Sequence, residues 1–372
     1  MTPPARPPGI LLDPTRPLRP DRSDPTAPTD KEPLPTVIDF RYHLVSLISV
    51  FLALAVGIIL GAGPLQGTLG DQLTEQVDAL RTERNTLREE LGQAQTTAQD
   101  QRRFIESAGD QLVAGSLAGM NVAVVEVDEV SDANRKAVLD QLEAADSTVV
   151  AQERLAASWT SADELTMRET VADGLREKLP ADAVEGVVDE DSGPAELLAA
   201  SLTVALTDSS GSSGSAGPSA FSEAALEQQH LLEQVGLVEQ VAEPSAPADA
   251  ILLLSSGATG ADEEEQTQDA DPEQTGMGAL AALAGTSAEI AGTSVVAGPT
   301  THDGDLIATI RADDGLSDLV STVSGVEQTT GQIVVPLAIA AQDAGAVDQY
   351  GFEEGASVLP PVVEQGETQG DG

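Results

Sequence analysis

The longest uncharged stretch of the chain, Leu44 to Gly70, limits what this sequence can fold into more than any other feature. Its first part, Leu44 to Gly63, is almost entirely apolar, and a bilayer core of roughly 30 Å needs about 20 such residues in a helix. A secretory signal has a shorter apolar core, about 7 to 15 residues, before a small-residue cleavage site. The letters "GAG" resemble such a site, but Pro64 would follow the cut. The sequence therefore favours a retained membrane anchor over a cleaved signal or a buried soluble helix.

Basic residues near this segment predict its orientation. Lys31 and Arg41 precede it closely, and the next basic residue is Arg81. Since Lys and Arg resist translocation, the N-terminus is expected to be cytoplasmic and the bulk of the chain extracytoplasmic, with a single span. Arg41, Tyr42 and His43 stand at the cytoplasmic end, where amphipathic side chains anchor a helix to the headgroups.

Two patterns predict that the chain associates with itself. Small residues recur every fourth position along the predicted span: Ser49, Ala53, Gly57 and Gly61. Such residues let two membrane helices approach closely. From Leu73 to Leu112 apolar residues recur at spacings of four and three, interrupted by Arg84 and Gln101. The strongest positions of this seam are Leu73, Val77, Leu80, Leu87 and Leu91. We expect a coiled-coil stalk over residues 66–115 in a parallel homodimer; the alternative is one long helix packed on its own domain.

The rest of the sequence alternates short strands with helices. Predicted strands are Met120–Val127, Ser147–Gln152, Asp249–Ser256 and Thr293–Pro299. Helices are predicted at 131–145, 161–179, 194–206, 221–236 and 277–290, with Ser131 or Asp132 capping the first and Ser161 with Glu164 capping the second. "QIVVPLAIAAQ" is interpreted as a helix with Pro336 in or near its first turns. The predicted fold class is α/β, with residues 118–364 forming two linked halves around a mostly parallel sheet.

Low-complexity segments frame this domain. Residues 1–36 and 365–372 are expected to be disordered, the first on the cytoplasmic side of a membrane helix at 37–65. Residues 207–219 and 258–275 are expected to be flexible insertions, the second strongly acidic.

Composition excludes several classes of protein. The net charge of −44 makes nucleic-acid binding implausible, because such a surface repels phosphates. Without cysteine, the exported domain must fold without disulfides. The motifs of hydrolases, phosphate loops and zinc proteases are absent. His230 and His302 are far apart in sequence, and the acidic run Asp262–Glu273 lacks EF-hand spacing. We therefore predict no enzyme and no identifiable cofactor, and the sequence assigns no residues to a metal.

Three stretches carry a family resemblance. "FRYHLVSLISVFLALAVGIILGAGPL", "GMNVAVVEV" and "GAVDQYGFEEGASVLPP" occur in the order seen in the mycobacterial copper transport protein B family of actinobacteria, which the chain resembles from Val37 to Pro361. The resemblance implies an envelope protein that takes part in copper homeostasis and efflux, described for the family as an outer-membrane channel.

The residues themselves do not point to copper, to a pore or to an outer-membrane location. Cu(I) prefers sulfur ligands, and only Met120, Met167 and Met277 lie outside the predicted membrane segment, apart from the initiator. Copper is therefore expected on the resemblance alone. The alternative function is an oligomeric scaffold that presents an α/β binding module to other envelope proteins.

Overall fold

The computed structural model describes residues 40–208, 220–259 and 276–361, without the side chains of residues 62–71. The predicted disordered tails and nearly all of both predicted insertions lie outside these ranges. The chain divides into two compact units, Met1–Glu89 and Glu90–Gly372.

The described part of the first unit is a single helical segment. Helix α1 spans Phe40–Val113 and so continues into the second unit. Its first 22 residues, Phe40–Gly61, are apolar and long enough to cross a membrane, and their side chains are exposed. The predicted N-terminal apolar helix is thus confirmed by length and composition.

The second unit contains the α/β domain, whose elements alternate as predicted. Its strands are β1 (Asn121–Glu126), β2 (Thr148–Leu155), β3 (Val238–Ala242), β4 (Ala250–Leu254), β5 (Ser294–Ala297), β6 (Ser321–Val323) and β7 (Gln349–Tyr350). Its helices after α1 are α2 (Asp132–Ala144), α3 (Leu165–Arg176), α4 (Pro194–Thr207), α5 (Glu223–Gln234), α6 (Gly276–Ala291), α7 (Leu306–Ala312), α8 (Asp314–Leu319) and α9 (Thr329–Asp343). Two 3₁₀ turns, Ala157–Trp159 and Ala162–Glu164, precede α3.

The strands form one seven-stranded sheet in the order β3-β2-β1-β4-β5-β6-β7. All neighbouring strands run parallel except β2 and β3, so the mostly parallel sheet is confirmed. The two predicted halves share this one sheet and meet where β1 pairs with β4. That junction is the topological switch point of a doubly wound fold.

Alternating residues of each central strand face opposite layers of helices, because strand side chains point to the two faces in turn. On one face, Val125, Ile251 and Val296 pack with α3 to α7. On the other, Val124 and Leu252 pack with α2, α9 and the end of α1. The domain is therefore a three-layer sandwich with a core on each side of the sheet.

Several local predictions were wrong in detail. Pro336 lies in the middle of α9 and is buried, not in its first turns. Ser161 begins a 3₁₀ turn without a side-chain capping bond, and α3 starts only at Leu165. Ser131 does cap α2, since its side chain accepts a hydrogen bond from the backbone N–H of Asn134.

Candidate functional site

An apolar groove opens on the surface of the second unit, with a volume of about 220 Å³. It is lined by the end of α1, the first half of α9 and the segment after β7. Its most exposed apolar side chains are Phe104, Leu112, Phe352, Val358 and Leu359. No charged side chain belongs to the lining, and only Ser324 and Thr330 contribute hydroxyl groups. Such a surface suits an apolar side chain or segment of a partner better than a charged ligand.

The first wall of the groove exists because α1 approaches α9 very closely. A Cβ atom on Gly109 would lie 2.7 Å from Cγ1 of Ile333, so any larger residue there would force the Ile333 side chain to move. Val113, one turn later, is completely buried, and Ile105, one turn earlier, packs against the same core. Ile105, a late position of the predicted heptad seam, is therefore partly covered by the chain's own domain, while Leu112, the last position, is 45% exposed.

The opposite wall is built by the segment that carries the C-terminal part of the family resemblance. The side-chain amide of Gln349 donates to the carbonyls of Ser317 and Val320, both at 3.0 Å, and its oxygen accepts from the hydroxyl of Thr322. These bonds fix the two-residue strand β7 to the sheet edge. At Gly351, a Cβ atom would collide with the Ser324 hydroxyl and the Glu353 carboxylate, so a larger residue there would displace the hydrogen bond between these two side chains.

Arg311 fastens this wall to the domain from α7. Its Nη2 donates to the carbonyl of Tyr350 at 2.8 Å, its Nε donates to the Thr322 hydroxyl at 2.8 Å, and its Nη1 lies 3.4 Å from Glu353. Burial lowers the pKa of Arg311 against the opposing effect of Glu353. Burial alone would raise the pKa of Glu353, but hydrogen bonds, first that of the Ser324 hydroxyl, together with the Arg311 charge hold it below the usual range. The pair is therefore ionised at neutral pH.

Tyr350 lies beneath the same segment. Its side chain is fully buried, and its hydroxyl has no hydrogen-bond partner among the described residues. Burial, with a smaller contribution from Asp348, raises the pKa of Tyr350 to about 12. The tyrosine is therefore a neutral part of the core beside β6.

A second polar cluster occupies the switch point of the sheet. The Asp128 carboxylate, just beyond β1, accepts hydrogen bonds from the Ser255 hydroxyl at 3.0 Å and the Ser256 backbone N–H at 2.6 Å. Burial raises the pKa of Asp128 although these bonds oppose it. The cluster ties the ends of β1 and β4 together with bonds of the chain itself.

The residues predicted to mediate self-association are exposed. Ser49, Ala53, Gly57 and Gly61 are exposed on α1, and the Ser49 hydroxyl donates to the carbonyl of Val45. The five leucine and valine positions of the heptad seam are also exposed, between 43% for Val77 and 63% for Leu80. Arg41, Tyr42 and His43 are exposed at the start of the helix. The coiled coil, the dimer and the headgroup anchor stay predictions.

The candidate ligands for copper are dispersed. Met167 and Met277 pack against one core and Met120 against the other, while His230 and His302 are exposed in separate elements. Within the described ranges, no three His, Cys, Asp or Glu side chains come together as a metal site. The acidic run at 262–273 lies outside those ranges.

Comparison with known proteins assigns the chain to a family. The family described as "Copper transport outer membrane protein, MctB" matches residues 37–361, which include the apolar helix and both walls of the groove. The chain belongs to this family. It is similar to the copper transporter MctB of Mycobacterium tuberculosis, 26% identical over 337 residues, which cover 86% of this chain and 98% of that protein. The protein of the same name from Mycobacterium leprae is 25% identical over 333 residues, covering 87% of this chain and 99% of that protein.

Sequence reasoning missed the groove. Its two close contacts rest on Gly109 and Gly351, which carry no periodic signal. The family-typical letters "QYGFEEGASVLPP" were the only pointer to this surface.

Proposed function

We propose that this protein is a single-span envelope protein that contributes to copper homeostasis and efflux, with its N-terminus in the cytoplasm and its α/β domain outside. The family match over residues 37–361 carries this proposal. The apolar helix Phe40–Gly61 and the basic residues that precede it support the membrane location and the orientation.

Copper enters this proposal as cargo. Because the methionines are spread over two cores and the histidines over two exposed positions, the described part of the domain offers no sulfur- or imidazole-rich copper site. We therefore assign the domain a role in assembling or recruiting the envelope components that move copper. No catalytic activity and no nucleic-acid partner form part of the proposal, in keeping with the net charge of −44.

Self-association through α1 is the second part of the proposal. The exposed seam is available to a second copy as far as Gln101, because Ile105 and Val113 pack within the chain. The groove adjoins the seam on the same helix, and Phe104 at its rim is 73% exposed. We assign its occupant to the second copy, since an uncharged lining lets two strongly acidic molecules approach without local repulsion.

Deletion of the gene in its own organism tests the copper assignment. The deletion strain is expected to accumulate more cellular copper and to stop growing at a lower copper concentration, while its tolerance of zinc stays unchanged. The full chain should restore both values, and a variant lacking residues 40–61 should restore neither. Unchanged copper content and copper tolerance after deletion would contradict the proposal.

A further inference from the structure

A small pocket lies between the sheet edge and helices α4 and α5, away from the groove. It has a volume of about 10 Å³, which is the space of one water molecule or one monatomic ion. Leu202, Ala205 and Leu206 of α4 and Leu232 of α5 supply its apolar lining. Its polar lining is Glu153, Glu233, Gln229 and Gln240.

Glu153 is the unusual member of this pocket. It stands on β2 between Ala151 and Leu155, at a position that faces the apolar core, and it is only 3% exposed. Its Oε2 atom is buried and has no hydrogen-bond partner among the described residues. A buried carboxylate without a partner is costly, so this oxygen requires a proton or a cation.

Among the described residues, no basic side chain lines this pocket. The other charged side chain in the lining is Glu233 of α5. Burial, and secondly the negative charge of Glu233, raise the pKa of Glu153 to about 8. The nearby basic side chains are engaged with other carboxylates: Arg154 of β2 is paired with Glu126 and Glu239, and Lys178 is paired with Glu227 of α5.

Two amide side chains line the same pocket. The Gln229 amide nitrogen donates to the carbonyl of Ala205 at 2.6 Å, which leaves its carbonyl oxygen as an acceptor. Gln240 pairs directly with Glu153 in the β2–β3 register, so both side chains lie on the same face of the sheet. Two carboxylates and two amides offer up to six oxygen atoms.

We propose that Glu153, Glu233, Gln229 and Gln240 form a binding site for one calcium-type divalent cation. An all-oxygen set with flexible geometry is typical of Ca²⁺. Mg²⁺ demands near-ideal octahedral geometry and dehydrates reluctantly, which side chains from α5 and two strands suit less well. The ion takes the place of the proton on Glu153, joins β2 and β3 to α5 and neutralises the two carboxylates.

Calcium titration of the full-length protein in detergent tests this site. At pH 8, isothermal titration calorimetry should resolve one stoichiometric Ca²⁺ per chain above the diffuse binding of an acidic surface. The Glu153→Gln variant should lose this site, and Mg²⁺ should bind at least about tenfold more weakly. Because a proton competes for Glu153, affinity should fall about tenfold on going from pH 8 to pH 6.5.

The matched control is Glu243→Gln, an exposed carboxylate just after β3 that does not line the pocket. It should keep the stoichiometric site, and circular dichroism should show that both variants are folded. The proposal would be overturned if the wild type and Glu153→Gln bound calcium with equal stoichiometry and affinity. It would also be overturned if the calcium affinity did not depend on pH. In either case the Glu153 carboxyl is neutralised by a proton alone. Neither outcome bears on copper tolerance, so the calcium site can be disproved without affecting the proposed role in copper homeostasis.

Discussion

At the scale of single residues, Gly331 is a glycine whose replacement would press on backbone atoms. It lies in the first turn of α9, and a Cβ atom there would press on the Gly325 carbonyl and lie 2.9 Å from the Val326 backbone nitrogen. Because these are backbone atoms, they cannot move aside as a flexible side chain does. We expect Gly331→Ala to lower stability by about 1–3 kcal/mol, as overpacking does, measured as a lower Tm by circular dichroism in detergent.

Gly174 provides the matched control for this substitution. It lies exposed within α3, and a Cβ atom there meets nothing within 4 Å. Gly174→Ala should therefore stabilise the protein by up to about 1 kcal/mol, because alanine is the better helix former. Equal shifts of Tm in the two variants would show that the packing around Gly331 is looser than the structure indicates.

Residue roles were predictable from sequence where they depend on neighbours in the chain. Ser131 was recognised as a helix cap because its partner, Asn134, lies three residues away. The close contacts at Gly109 and Gly331 were not predictable, because the neighbouring atoms belong to residues distant in sequence or beyond a turn. The buried carboxyl of Glu153 escaped notice for the same reason: its surroundings are set by α4 and α5.

At the scale of elements, Arg311 of α7 holds the short strand β7 in place. It bonds to the Tyr350 carbonyl and is paired with Glu353. Removing it deletes one bond to each group, while Ser324 still donates to both. Because the pair is partly exposed, we expect the loss to be about 1–2 kcal/mol. We expect Arg311→Ala to speed hydrogen exchange over residues 348–358 by at least about tenfold, measured by mass spectrometry.

Lys136→Ala is the control for this experiment. Lys136 forms an exposed ion pair with Asp140 on α2, of the kind that contributes little to stability. Exchange over residues 348–358 should stay at the wild-type rate in this variant. A wild-type rate in Arg311→Ala as well would mean that pairing of β7 with β6 and the bonds of Gln349 suffice.

Long helices and strands with a clear apolar pattern were predictable from the sequence, and short ones were not. The buried apolar strands β1, β4 and β5 and the helices α2, α4, α5, α6 and α9 have strong patterns and were predicted. The structure adds β3, β6, β7, α7 and α8. With three residues in β6 and two in β7, these strands are too short to show a period, and β7 exists because side chains of α7 and β6 bond to it.

At the scale of the whole molecule, the sequence predicted the order of parts and the family, but one chain does not reveal its assembly. Leu73, Leu80 and Leu87 are exposed, as expected for the contact positions of a coiled coil in the absence of a second chain. Near the end of the same pattern, Ile105 packs against the core of the domain, while Leu112 is exposed. A heptad pattern predicts an apolar stripe, and tertiary structure decides whether a second copy or the chain's own domain covers it.

The parallel arrangement of two copies can be tested with single cysteines, because the chain has none of its own. Leu80 occupies a seam position and is 63% exposed, so a parallel pair places the two Leu80 side chains opposite each other. Leu80→Cys should form a disulfide-linked dimer in membranes treated with diamide, seen on a non-reducing gel. Glu89→Cys, which is exposed and off the seam, should stay mostly monomeric.

The same assay tests the groove. Adding Phe104→Asp to Leu80→Cys should lower the yield of disulfide-linked dimer several-fold if the groove takes part in pairing, whereas an unchanged yield would restrict the contact to the helix. Equal cross-linking at positions 80 and 89 would contradict a specific seam, because random collisions favour neither face.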